Sequence, residues 1–325
     1  MNASLPALGQ SPPQVEVFSG LLALDKPAGV TSHDVVAVVR RRLRAPGAGH
    51  LGTLDPGASG LLVIALGAAT RAIPVWQGGE KTYDATLCFG IVTSTQDVHG
   101  EVLERREVRL DEAQIRAATR AFVGDIEQVP PMVSALSVGG QRLHRLARRG
   151  IEVERVPRRI RIASWEWQSF ALPEARFIVR CTSGTYVRTL AHDLGAALGP
   201  GAALKTLRRL RSEPFGLERA VPLRELSLQA AEAVLAHAWT LDDALEVLPA
   251  VTLDADAEVR VGFGGRPVVE PGEAPLDGGP RSVVLRDASG RALALGELRA
   301  LPDVPGQALV CPHVVFPWAV RQGRP

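Results

Sequence analysis

The chain has 325 residues, 46% of them apolar, and a formal net charge of +2, so it is long enough for a large domain plus a small one. No segment approaches the roughly 20 apolar residues of a membrane span, and the start of the chain lacks the basic region of a signal peptide and carries Pro12 and Pro13. Cys88, Cys181 and Cys311 are odd in number and far apart, which argues against a disulfide framework or a cysteine-based zinc site.

The expected compartment is the cytoplasm, with residues 1–19 as a flexible tail. Residues 20–24 form a short apolar run stopped by Asp25-Lys26-Pro27-Ala28-Gly29, a strand ending in a turn. Thr31 or Ser32 then caps a helix with His33 and Asp34 in its first turn, and Val35, Val36, Val38, Val39 and Leu43 have helical spacing. Glycine-rich residues 47–60 are a loop, 61–66 and 82–89 are strands, and 112–122 is a helix with Ile115 and Ala118 on one face. Pro130-Pro131 keeps 126–136 extended, and 143–149 is a short basic helix. A strand over 177–181 leads through Thr182-Ser183-Gly184-Thr185 to a helix over 188–198. A further helix over 228–236 lies in a stretch with acids but no Lys or Arg. After Leu248-Pro249 come short strand-like runs, 259–261, 282–285, 292–295 and 308–310, the pattern of a small β-barrel or sandwich. The chain divides into a larger domain over 20–250 and a smaller one over 251–325. A chain cut near Ala250 is predicted to keep the larger domain folded.

Basic charge is clustered at Arg40, Arg41, Arg42 and Arg44; at Arg142, Arg145, Arg148 and Arg149; at Arg158, Arg159 and Arg161; and at Arg208, Arg209 and Arg211. Such segregation fits a face that meets a polyanion, and it equally fits solvated arginine-rich helix faces. The densest chemistry is Gly49-His50-Leu51-Gly52-Thr53-Leu54-Asp55-Pro56-Gly57-Ala58-Ser59-Gly60. Taken alone, Asp55-Pro56-Gly57 is a turn with Asp at its favoured first position. Its context of four glycines, which admit a second backbone at close range, a preceding His50 and a following strand, suits a carboxylate presented to a large ligand. The chain has only two tyrosines, and both lie in short motifs, Lys81-Thr82-Tyr83 and Ser183-Gly184-Thr185-Tyr186-Val187-Arg188-Thr189. Of three lysines, Lys26 and Lys81 fall in the same motif segments.

Leu24-Asp25-Lys26-Pro27, then the 49–60 segment, then Lys81-x-Tyr83, then Gly184-Thr185-Tyr186-x-Arg188-Thr189 resemble, in order and spacing, the TruB family of tRNA pseudouridine synthases. Residues 129–136 with Gly150-Ile151-Glu152-Val153 look like that family's RNA-gripping insertion. The resemblance runs over about 20–320. It implies an α+β pseudouridine synthase fold with a central mixed, mainly antiparallel β-sheet flanked by helices, plus a small C-terminal β-barrel-like PUA-type domain. It also implies an isomerase acting on uridine 55 in the T-loop of tRNA, with no cofactor and no metal. Asp55 is then the catalytic carboxylate, paired with Arg188. Tyr83 stacks on the flipped base, His50 lies against the disrupted T-loop, and Tyr186 and Leu207 line the pocket. Lys26 supports the loop or meets phosphate, and Arg71 is a weaker phosphate candidate. The expected partner is the tRNA T-arm, with no membrane, no obligate protein partner and a monomeric state. An RNA-binding or tRNA-folding protein whose catalytic function is secondary, and a pseudouridine synthase of another family acting on ribosomal RNA, are the competing readings. Leu51 and the run Thr93-Ser94-Thr95-Gln96-Asp97 depart from the family pattern, and neither is expected to touch a catalytic residue.

Overall fold

The computed structural model describes residues 18–134, 136–138, 140–143, 146, 149–271, 279–301, 303, 304 and 306–320. Most of the expected N-terminal tail and of the expected basic helix over 143–149, with Arg145, Arg148 and the side chain of Arg142, lie outside the described residues.

The first part of the chain is organised by two strands buried on both faces. β1 (Gly20–Lys26) pairs antiparallel with β3 (Ser59–Leu66), from Gly20 opposite Leu66 to Lys26 opposite Gly60. Because side chains alternate along a strand, Leu22, Leu24, Leu62 and Ile64 enter one apolar core while Leu21, Leu61, Val63 and Ala65 enter another. This is why both strands are nearly continuous apolar runs in sequence. The short β2 (Ala48–His50) adds to the far end of β3. Beyond β3 the sheet continues through β8 (Ala202–Ser212), β4 (Lys81–Phe89), β7 (Glu174–Cys181), β6 (Arg158–Ala171) and β5 (Gly124–Gln128). The β3–β8 pairing is parallel, and β8–β4, β4–β7, β7–β6 and β6–β5 are antiparallel. Eleven strands join this sheet among the described residues. It is therefore mixed and mainly antiparallel, as expected.

Helices cover the first core. Thr31 caps α1 (Ser32–Arg42) in a reciprocal capping box with Asp34, and the helix buries Val35 and Val39. α2 (Glu112–Thr119), ending in a 3-10 turn over Arg120–Phe122, buries Ile115. α3 (Val187–Leu198) buries Val187, Leu190, Ala191 and Leu194. Neither β6 nor β8 was assigned a strand across its length from sequence, although they carry two of the arginine clusters.

The last part of the chain is a second sheet in the order β9 (Ala250–Thr252), β11 (Arg281–Arg286), β12 (Ala292–Ala300), β13 (Ala308–Val315), β10 (Val268–Val269). Residues 259–261, expected as strand-like, instead lie in helix α4 (Ala255–Gly262). Asp254 caps that helix through Ala257 N at 2.8 Å, and Ala257 and Val261, one turn apart, are buried together with Gly262. Val284, Ala292, Leu295 and Phe316 of this second part share an apolar cluster with Trp76, Phe215, Leu241 and Leu245 of the first. Asp242 strengthens the seam, accepting from Ala292 N at 2.6 Å. No helix among the described residues is long and apolar enough to cross a membrane.

Candidate active site

The segment between β2 and β3 is held from three sides. From α1, Ser32 Oγ accepts from Leu54 N at 2.9 Å and donates to Leu54 O at 3.0 Å, fixing the residue before Asp55. From β8, the buried Arg209 donates to Leu61 O at 2.7 Å and Gly52 O at 3.1 Å, fixing both ends of the segment. From β1, Lys26 is 0% exposed, and its ammonium donates to Val30 O, Pro27 O and, at 3.4 Å, Pro56 O. Burial draws the Lys26 ammonium down from 10.5 to about 8, with Asp55 pulling the other way and Arg209 adding to the fall. Asp55 O closes the turn by accepting from Ala58 N at 3.0 Å. Gly60, at φ +97°, brings β3 so near β8 that a Cβ there would lie 2.2 Å from Arg209 O.

The Asp55 carboxylate, 42% exposed, meets the Arg188 guanidinium, 5% exposed. The contacts are 2.8 Å from Nε to Oδ2 and 3.3 Å from Nη2 to Oδ1, a two-point pairing. Arg188 sits in the first turn of α3 and is held independently of Asp55, since Nη1 donates to Thr95 O at 3.0 Å and Nη2 to Val133 O at 2.9 Å. Asp97 Oδ2 stands 3.9 Å from the same Nε. The 93–97 run, expected to lie away from the catalytic residues, therefore touches the partner of Asp55. The reason is that Asp97 bridges to Leu204 on β8 and brings this loop back over the sheet.

A cleft of about 440 Å³ opens over the pair. Asp55, Arg188 and Leu207 line it, as do Thr95, Asp97, His99 and Val133. Lys26, His50, Tyr83 and Tyr186, expected at the site, are not among the residues lining it. Tyr83 on β4 is 7% exposed and its hydroxyl meets Arg209; burial pushes its pKa up. Tyr186 is half-buried at the start of α3, and burial raises its pKa as well. The charge of Asp55 acts on Lys26, Tyr83 and Tyr186 alike, so these sequence-distant motifs converge on one carboxylate. His50 packs edge-on against His33 with ring centroids 5.4 Å apart; burial lowers its pKa, and its Nδ1 has no hydrogen-bond partner among the described residues. Leu51 is buried in the second core.

Sequence reasoning missed Gln128, Ser32, His99 and the structural use of Arg209. The buried Gln128 ends β5, and its amide grips the backbone of Tyr186. The arginine clusters, too, are not one free basic face. Arg208 forks onto Asp25 at 2.7 and 2.9 Å, Arg211 pairs with Glu213 at 2.9 Å, and Arg42 donates to Leu226 O at 3.1 Å. Arg40, Arg41, Arg44 and Arg158 are exposed. Arg71 donates to Val315 O at 2.9 Å, across the seam to the second sheet.

Two family models match the chain, the TruB family pseudouridylate synthase N-terminal domain over residues 40–187 and the tRNA pseudouridylate synthase B C-terminal domain over 188–250. A tRNA pseudouridine synthase B of Symbiobacterium thermophilum is 48% identical over 77% of this chain and 83% of its own length. That of Geobacter sulfurreducens is 45% identical over 83% and 91%. Among solved structures, a Cbf5-Nop10-Gar1 complex contains a chain of similar fold, with a TM-score of 0.73 at 27% identity over 97% of this chain and 90% of that one. A second, an H/ACA RNP bound to a substrate RNA containing 2'-deoxyuridine, gives 0.67 at 25% identity over 94% and 87%.

Proposed function

Because the chain belongs to the TruB family of pseudouridylate synthases, we propose that it is a tRNA pseudouridine synthase that isomerises uridine 55 of the T-loop. Asp55 is the catalytic carboxylate of this reading. The observation that carries it is the Asp55–Arg188 pair on the wall of the cleft, an accessible carboxylate ion-paired to a guanidinium that is itself buried and anchored to Thr95 and Val133.

In the reaction the N1–C1′ bond of uridine breaks, the uracil turns, C5 bonds to C1′, and the C5 proton leaves while N1 gains one. Substrate and product have the same composition and oxidation level, so the chemistry calls for positioning and a carboxylate rather than a cofactor. A carboxylate serves as nucleophile or proton relay in such chemistry, much as in glycosidases that act through a carboxylate at an anomeric carbon. Arg188 orients the Asp55 carboxylate through the two-point pairing. The Lys26, Ser32 and Arg209 ties hold the loop so that the carboxylate does not have to be ordered at each turnover.

A stacked base cannot reach Asp55, so the uridine leaves its stack on binding. The cleft volume is in the roughly 300–1,000 Å³ range of small-ligand sites. Leu207 forms its apolar wall and Tyr83 supplies the aromatic face for the extruded base. Tyr186 closes the pocket from the α3 side, and His50 beside His33 meets the T-loop. The exposed Arg40, Arg41, Arg44 and Arg158 contribute salt-dependent affinity for the tRNA backbone. Lys26, fully enclosed, supports the loop rather than meeting phosphate. Residues 251–325 form an RNA-docking module of the PUA type, and the protein acts as a monomer without a protein partner.

The test is pseudouridine mapping of RNA from cells with and without the protein, together with purified protein on a tRNA transcript. Pseudouridine at position 55 that depends on the protein supports the reading. Its appearance only in ribosomal RNA would replace the substrate, and its absence everywhere would remove the activity.

A further inference from the structure

Among the described residues lining the cleft, three side chains bear nitrogen: Arg188, Lys205 and His99. Arg188 is held by Asp55, Thr95 and Val133, and Lys205 is paired with Glu174. His99 is exposed, and its imidazole makes no hydrogen bond or ion pair with any described residue. Its backbone is nevertheless fixed. His99 N donates to Asp97 Oδ1 at 3.0 Å, and the same oxygen accepts from Thr95 Oγ1 at 2.8 Å. The ring lies over Gly57, two residues from Asp55; a Cβ at Gly57 would stand 3.0 Å from both Cδ2 and Nε2 of the imidazole. The absence of a side chain at Gly57 is what lets the ring lie there.

The charge balance of the cleft gives this placement its meaning. Asp55 and Asp97 face it against a single guanidinium, while the charge of Lys205 is answered by Glu174. The charged side chains lining the cleft therefore balance, and it offers no net positive charge to a ligand whose backbone is itself negative. An imidazole carries an N–H donor in both protonation states and two when charged. Among the described side chains lining the cleft, it is the one nitrogen-bearing group with no protein partner.

We propose that His99 is a further substrate-contacting residue, whose imidazole donates to a backbone phosphate of the RNA strand that delivers its base to Asp55. This rests on the reading that the ligand is RNA. The geometry assigns His99 to binding and Asp55 to chemistry, so the two should separate kinetically.

The experiment uses the full chain and a tRNA transcript at fixed salt, with His99→Ala and His99→Arg compared with the wild type. KM and affinity are measured beside the single-turnover rate at saturating RNA. His99→Ala should weaken KM and affinity about three- to tenfold, in line with losing one phosphate contact, with a smaller change in the saturated rate. His99→Arg, which restores a nitrogen donor at this position, should recover most of the affinity. Wild-type affinity in His99→Ala would overturn the proposal. Equal weakening in both variants would also overturn it, because the fit of the ring rather than its donor would then be what counts. A wild-type protein that binds tRNA but forms no pseudouridine would sink the enzymatic reading alone, and the affinity comparison would still decide the role of His99.

Discussion

Gln128 holds Tyr186 by both ends of its amide: Nε2 donates to Tyr186 O at 3.0 Å and Oε1 accepts from Tyr186 N at 2.8 Å. Tyr186 is the N-cap of α3, two residues before Arg188, so the last residue of β5 sets where the guanidinium opposite Asp55 begins. Gln128→Leu keeps the bulk and leaves both backbone groups without this partner. We expect a loss of about 1–3 kcal/mol in urea unfolding and a lower rate at saturating tRNA. Unchanged unfolding and unchanged rate would show that the clamp is dispensable.

Asp55→Asn keeps the shape of the side chain and removes its charge. Pseudouridine formation should fall by more than about a thousandfold, some 4 kcal/mol of barrier, while filter-binding affinity for tRNA stays within about threefold of wild type. Substantial residual turnover, with contamination by wild-type enzyme ruled out, would reject the assignment of Asp55.

Tyr83 separates stacking from proton transfer. Tyr83→Phe keeps the ring and loses only the hydroxyl that meets Arg209, so it should remain nearly active. Tyr83→Leu should lose about 1–3 kcal/mol, the usual worth of a base–aromatic stack. Near-complete loss in the Phe variant would instead make the hydroxyl a proton carrier, and wild-type rates in both would take Tyr83 out of the site.

Lys26 makes a pH-dependent contribution with a definite sign. Its pKa falls from 10.5 in the unfolded chain to about 8 in the fold. Between those values the unfolded chain binds more protons, so stability rises with pH across that window. Below about 8 both states are protonated and the full cost of burying the ammonium applies, at most about 3 kcal/mol. Lys81, also drawn down to about 8 chiefly by burial, acts in the same direction. Unfolding free energies at pH 7.5 and 9.5 should therefore rise less in Lys26→Met than in wild type. An identical rise in the two proteins would refute the contribution.

The shared apolar cluster changes the expectation for a chain cut near Ala250. Such a cut removes Val284, Ala292, Leu295 and Phe316 from against Trp76, Phe215 and Leu245, together with the Asp242–Ala292 bond. The shortened chain should melt at lower temperature and bind a hydrophobic dye. Phe316→Ala in the full chain should cost about 3–5 kcal/mol. A truncated chain as stable as the whole would show that the seam contributes little.

Sequence by itself determined the local features. Asp55-Pro56-Gly57 is a turn, Thr31 or Ser32 starts a helix, and the apolar runs of β1 and β3 are strands, because each follows from backbone preferences and patterning among near neighbours. The set of motifs around Asp55 was legible for the same reason. Each is short, and its spacing is preserved along the chain. Only the tertiary structure decided which charged residues face inward. Arg208 and Arg209 are adjacent in a basic run, yet one forks onto Asp25 at the surface and the other disappears beneath the Asp55 loop. Their strand sends neighbours to opposite faces, and its partners β3 and β4 lie more than a hundred residues earlier. The same holds for Ser32, Gln128 and His99, whose roles depend on Leu54, Tyr186 and Gly57. Hydrogen bonds and close contacts of that kind are made by residues far apart in sequence, and they leave no periodic trace in it.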